Sequence, residues 1–203
     1  MEKLDLKKKW QHLYGAMPGP IVTVDVPPLT YLMVEGEGDP NTSLAYQEAI
    51  EALYSLSYTL KFSLKKSSRT IDYGVMPLEG LWWSDDPGAF HRAEKSAWKW
   101  TAMILQPEFI GQRELDAAFE EVRRKKNPAA LDRVRLETLK EGPSAQTLYL
   151  GPYSDEGPTI ERIHAFIHAA GKELRGKHHE IYLSDPRRTV AEKLKTIIRQ
   201  PMG

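Results

Sequence analysis

No cysteine occurs among the 203 residues, so a disulfide framework, a thiolate metal site and a cysteine nucleophile are all excluded. Charge of either sign in excess is also missing: 28 basic residues meet 28 acidic ones, and the formal net charge is zero. A dedicated nucleic-acid binder needs surplus Lys and Arg to meet phosphates, so direct nucleic-acid binding is not expected. The basic runs Lys7-Lys8-Lys9, Lys65-Lys66 and Arg123-Arg124-Lys125-Lys126 read as solvated helix faces and ends. No apolar run approaches the roughly 18 residues of a membrane span, and the first nine residues are too charged for a signal peptide. The chain therefore reads as cytoplasmic, with no membrane partner. What is present in quantity is aromatic side chains, with five Trp and nine Tyr in a chain that is 41% hydrophobic. That much apolar content excludes wholesale disorder.

Patterning orders the rest. Residues 1–20 read as a charged, then Gly/Pro-rich, N-terminal arm packed onto the body. Segments 21–26 and 29–36 read as β, divided by Pro27-Pro28, which cannot sit in a central strand. Asn41-Thr42-Ser43 offers helix caps, and Tyr46, Ile50, Leu53, Tyr54, Ser57, Leu60 and Leu64 recur at helical spacing over 44–64. Segment 72–83 reads as β with a bulge near Pro77 and Gly80, 85–94 as a polar loop, and 97–106 as a strand alternating Trp98, Trp100, Ala102 and Ile104 against polar and apolar neighbours. A helix over 113–126 follows. Strands over 133–139 and 145–150 then read as a hairpin about Gly142-Pro143. A Pro-led helix spans 158–170 and stops at Gly171, a strand covers 178–183, and a short helical turn and last strand close the chain. The order β-α-β-β thus occurs twice. The expectation is an α+β fold, a pair of β-α-β-β modules (about 21–107 and 108–203) sharing one antiparallel sheet with helices on one side and an open face on the other.

Several chemistries lack their signatures. There is no Gly-x-Ser-x-Gly elbow, no Gly-x-Gly-x-x-Gly and no phosphate loop, and Glu35-Gly36-Glu37-Gly38 would repel phosphate. His164 and His168 share a helix face and His178-His179-Glu180 follows, but the His-Glu-x-x-His arrangement of a zincin is absent. No metal and no cofactor is expected. The stronger signal is glutamate set among rings. Alternation in His178-His179-Glu180-Ile181-Tyr182-Leu183 puts Glu180 with Tyr182 on one face and Ile181 with Leu183 on the other. If the helices cover the Ile181 face, Glu180 points to the open one. Glu79 sits beside Trp82 and Trp83, and the pattern does not say which of the two turns inward. A carboxylate in an aromatic recess has a raised pKa or attracts a cation, and it suits a flat, hydrophobic, often cationic ligand.

Met76-Pro77-Leu78-Glu79-Gly80-Leu81-Trp82-Trp83, Gln106-Pro107-Glu108-Phe109, Gly151-Pro152-Tyr153, Glu180-Ile181-Tyr182-Leu183-Ser184-Asp185-Pro186 and the closing Lys193-Leu194-Lys195-Thr196-Ile197-Ile198-Arg199 occur in the order in which they mark the GyrI-like small-molecule-binding family. The chain resembles that family from about residue 21 to its end, and most closely its stand-alone branch. The same ligand domain occurs in the multidrug-sensing regulators BmrR and Rob. The resemblance implies a pseudo-two-fold pair of modules with the ligand in the cleft between them, and binding of hydrophobic, frequently cationic aromatic compounds. It places Glu180 at the ligand, with Tyr182 next to it. Trp82, Trp83, Trp98, Trp100, Glu79, Tyr149 and Tyr153 are then candidate ligand contacts. Some stand-alone members are cyclopropanoid cyclopropyl hydrolases, which open the strained ring of DNA-alkylating compounds. That activity would make Glu180 the group that activates water and Tyr182 or Tyr153 the donor to the dienone oxygen. A DNA-binding domain of the kind the regulators carry does not fit in the 20 or so residues ahead of the fold, which argues against direct transcriptional control. The first reading is a stand-alone binder of hydrophobic, often cationic aromatic small molecules; the alternatives are the hydrolase with Glu180 activating water and, behind both, a protein-interaction module.

Overall fold

The computed structural model describes residues 2–67, 70–86 and 95–203. The elements in chain order are β1 (Glu2–Leu4), α1 (Leu6–Lys9), α2 (Gln11–Tyr14), β2 (Val22–Val26), β3 (Leu29–Glu37), α3 (Leu44–Lys66), β4 (Ile71–Tyr73), β5 (Leu78–Trp83), β6 (Lys99–Leu105), α4 (Gln112–Lys125), β7 (Arg135–Leu139), β8 (Gly142–Leu150), α5 (Gly157–Ala169), β9 (His178–Tyr182) and β10 (Lys195–Pro201). The fold is α+β, as the patterning implied. The chain divides into two compact units, the first made of residues 1–9, 29–76 and 83–139, the second of 10–28, 77–82 and 140–203. Most of the loop expected over 85–94 lies outside the described residues.

In the first unit β3 is the middle strand, antiparallel to β6 on one side and to β7 on the other. Helix α3 packs on β3 and β6 and against α4. Its apolar stripe puts Ala49, Ala52, Leu53, Leu56 and Leu60 in the core with essentially no exposed surface, and each fully buried Leu contributes about 1.5–3 kcal/mol. Ser43 caps it, its hydroxyl accepting from the Tyr46 backbone N–H at 3.3 Å. At Gly36 the partner strand places Trp100 opposite, its ring lying across the glycine; a methyl group there would overlap the indole. Trp100 meets Tyr46 edge-on, with ring centroids 4.9 Å apart. The strand expected over 72–83 breaks into β4 and β5 at the stretch that holds Gly74 and Pro77, and β4 pairs in parallel with β1.

The second unit is a five-strand antiparallel array in the order β2-β8-β10-β9-β5. The hairpin expected about Gly142-Pro143 does not form: β7 pairs with β3, and β8 with β2 and β10. Gly142 instead starts β8 at φ 71°, a backbone setting that favours glycine. Helix α5 has Pro158 at its start and Gly171, at φ 69°, just beyond its end. Its Ile163 and Ile167 pack with Ala145, Ile198 and Met202. Register places Ile198 directly opposite Glu180, so α5 lies on the face that carries Glu180. The condition under which Glu180 would point to an open face, helices over the Ile181 side, is therefore not met by α5. On that second face the turn α2 and the residues beside it close over a buried polar cluster.

Candidate functional site

Two clusters of polar and aromatic side chains occupy the two faces of β5 and β9, both inside the second unit. Directly opposed residues of an antiparallel pair share a face. The pairs Gly80–Glu180 and Trp82–His178 therefore lie on one side, Glu79–Ile181 and Leu81–His179 on the other.

On the first face Glu180 is held from several directions. His178 Nε2 donates to its Oε1 at 3.1 Å, and the Tyr182 hydroxyl donates to its Oε2 at 2.7 Å. Tyr182 in turn accepts from the indole N–H of Trp82 at 3.0 Å, so Trp82, and by alternation not Trp83, shares the face of Glu180. Glu156, at the start of α5, is buried and shares a further side-chain hydrogen bond with Glu180. Two carboxyl groups can share such a bond only with a proton between them. Burial works to raise the Glu180 pKa. The hydrogen bonds from His178, Tyr182 and Glu156, with the electrostatic pull of the His178 imidazole, outweigh that and hold it below the ordinary 4.5. Glu180 is therefore an ionised carboxylate at neutral pH, its side chain 14% exposed.

One further ring borders the cluster, and a second lies on the same sheet face. Tyr153 stands edge-on to Tyr182 with centroids 5.5 Å apart, and is 37% exposed. Burial, then the neighbouring carboxyl groups of Glu156, Glu180 and Asp185, all ionised in the range where a phenol titrates, push its pKa up to about 12, so it keeps its proton and can donate. Tyr149 folds back across Gly151, where a side chain would collide with its ring, and donates to the Pro152 carbonyl at 3.1 Å. Gly80 has a related duty. A β-carbon on it would sit 2.7 Å from Trp82 Nε1 and 3.0 Å from the Tyr182 hydroxyl, on the bond that joins them. Gly80→Ala is expected to break that bond, lower stability by about 1–3 kcal/mol, and move the Trp82 indole N–H resonance upfield in a proton–nitrogen NMR spectrum. An unmoved resonance would contradict the arrangement.

The opposite face holds a fully buried chain of charge. Tyr14 donates to Glu79 Oε1 at 2.6 Å, His179 Nε2 meets Glu79 Oε2 at 2.9 Å, and His179 Nδ1 meets Glu141 Oε1 at 2.9 Å. Carboxylates only accept, so both ring nitrogens of His179 carry protons and the ring is an imidazolium. Burial opposes that charge, but Glu141 and Glu79 prevail and push the pKa up to about 9. For Glu141 burial again opposes, while His179 and Arg199 pull its pKa down to about 2. Arg199 completes the chain, giving Nη1 to Glu141 at 3.2 Å, Nε to Gln146 at 2.9 Å and Nη2 to the Leu13 carbonyl at 2.9 Å.

The candidates of the sequence thus separate. Glu180, Tyr182, Trp82 and Tyr153 come together, and Tyr149 is tied to the Pro152 carbonyl that precedes Tyr153 in the chain. Glu79 is fully buried on the other face with Tyr14 and His179. Trp100 is fully buried in the first unit, and Trp98 is half-buried there with the Lys95 ammonium 5.7 Å from its ring. His178 and His179 point to opposite faces of β9, and His168 lies 3.9 Å from Glu173; among the described residues no three His, Asp or Glu side chains are grouped to hold a metal ion. Sequence reasoning missed Glu156, Glu141, Arg199 and Tyr14. For Arg199 a signal existed, a charge set among the apolar residues of a closing strand.

Known structures share the fold. An uncharacterized conserved protein from Listeria innocua superposes with a TM-score of 0.90 at 38% identity, over 98% of this chain and all of its own. A hydrolase from the same organism does so with a TM-score of 0.86 at 37% identity, over 98% of this chain and all of that one. The C-terminal domain of EcmrR shares the fold at 9% identity and a TM-score of 0.56, over 91% of this chain and 97% of its own. No curated protein matches the chain. Residues 20–202 match the profile of the GyrI-like small molecule binding domain, and the chain belongs to that family.

Proposed function

We propose that this GyrI-like domain is a hydrolase of a hydrophobic, electrophilic small molecule, of the kind that carries a strained cyclopropane conjugated to a dienone. The observation that supports it is the Glu180 carboxylate, kept ionised by His178 and Tyr182 beside Trp82 and Tyr153. Solved relatives described as hydrolases, at 37% identity along the whole chain, favour turnover over binding alone.

In this reading Glu180 takes a proton from water as the water oxygen bonds to a ring carbon. The cyclopropane C–C bond breaks and its electron pair runs into the dienone, which becomes a phenoxide. The proton then passes to that oxygen, so the net change is addition of one water. The Tyr182 proton is committed to Glu180 and its oxygen to Trp82, which leaves Tyr153 as the donor to the developing phenoxide. Trp82 packs against the flat body of the substrate.

A second reading, sequestration of a cationic aromatic compound, is favoured by the same carboxylate, since aromatic faces add roughly 0.5–2 kcal/mol to cation binding. One experiment separates the two. The protein is incubated with an excess of a cyclopropane-bearing alkylator and the products are weighed by mass spectrometry. More than one equivalent of water-added product per protein is expected; one equivalent of unchanged, retained compound would leave the binder.

A further inference from the structure

We infer that the outer face of α3 is self-complementary and docks on the same face of a second copy of this chain. The face is a ladder of rings one turn apart: Tyr54 and Tyr58 lie 6.2 Å apart at 27°, Tyr58 and Phe62 6.3 Å apart at 22°. Tyr58 and Phe62 are each 48% exposed, and Leu44, at the start of the helix on the same side, is 67% exposed. At about 100° per residue, Glu51, Tyr58 and Lys65 fall on one line along the helix, with Tyr54 and Phe62 to either side of it. Isolated exposed apolar residues need no explanation, but a stacked row on one helix face does.

The order of residues along that line selects the occupant. Laid antiparallel about a two-fold axis through Tyr58, the helix meets its own copy with Tyr54 opposite Phe62 and Glu51 opposite Lys65, each contact made twice. Rings face rings and acid faces base. A parallel arrangement would put Glu51 on Glu51 and Lys65 on Lys65. Lys65 Nζ already lies 2.8 Å from Asp72, but Asp72 also has Lys61 at 3.4 Å, so Lys65 can lean across to a second copy without leaving that carboxylate unpaired.

Sedimentation velocity of the full chain over a wide concentration range tests this. The wild type is expected to pass from monomer to dimer as concentration rises. Tyr58→Lys is expected to raise the dissociation constant by at least about tenfold. Glu51→Lys is expected to weaken association, and adding Lys65→Glu to it to restore association by exchanging the paired charges. A wild type that stays monomeric, a Tyr58→Lys protein that associates as well as the wild type, or a double exchange no better than Glu51→Lys alone would each overturn the proposal. Circular dichroism verifies folding, and Phe62→Lys replaces Tyr58→Lys should that variant melt early.

Discussion

Glu180→Gln is expected to lower turnover of a cyclopropane-bearing substrate by about 10²–10⁴-fold while leaving its KM nearly unchanged, because a positioned general base contributes that much to rate and little to the binding of a neutral ligand. Glutamine keeps the volume of the side chain. Its carbonyl still accepts from Tyr182, so the hydrogen bond that ties Tyr182 and Trp82 into place persists. What it cannot do is carry the negative charge that His178, Tyr182 and Glu156 are arranged to hold. A cationic aromatic compound behaves differently: it loses affinity for the variant, since the charge itself is its partner. Product formation at the wild-type rate would remove Glu180 from the mechanism.

The second large effect concerns stability. Arg199→Met is expected to cost about 3–5 kcal/mol, the usual result of removing one partner from a buried ion pair. The substitution leaves Glu141 dependent on His179 alone and strips donors from the Gln146 side-chain oxygen and the Leu13 carbonyl. Chemical denaturation gives the number directly. The same cluster sets a pH window. His179 has its pKa pushed up to about 9 from 6.5, so its contribution is complete below 6.5 and lost as pH rises through 9. Glu141 is pulled down to about 2 from 4.5, so its contribution is complete above 4.5 and lost as pH falls through 2. The cluster therefore stabilises most between pH 4.5 and 6.5. Stability that stayed flat up to pH 9 in the wild type would show that His179 is not the buried cation described.

The parts of this site that were legible in the sequence are those carried by local period. Alternation over 178–183 put Glu180 beside Tyr182 because a strand repeats every second residue whatever surrounds it. The choice between Trp82 and Trp83 was not legible. Pro77 and Gly80 blur the phase of that segment, and only the pairing of Gly80 with Glu180 fixes which indole joins the site. The buried cluster was hidden for another reason. Tyr14, Glu79, Glu141, His179 and Arg199 come from widely separated segments, and charged residues taken singly read as solvated. Glu79 looked like part of an aromatic recess because its chain neighbours are tryptophans, yet alternation sends it to the other face. In the fold, Gly142-Pro143 had the composition of a turn but opens a strand, because β8 finds β2 and β10 as partners. Long-range pairing of this kind leaves no local trace.

The central claim is that an ionised Glu180 is the base. Its most direct test is the pH dependence of kcat/KM for hydrolysis, which reports the essential group of the free enzyme. The account predicts a plateau through neutral pH and one acid limb, falling at a pH below the ordinary glutamate value of 4.5 and absent from the residual rate of Glu180→Gln. An acid limb near 6.5, or a limb that survives in Glu180→Gln, would assign the base to another group and contradict it.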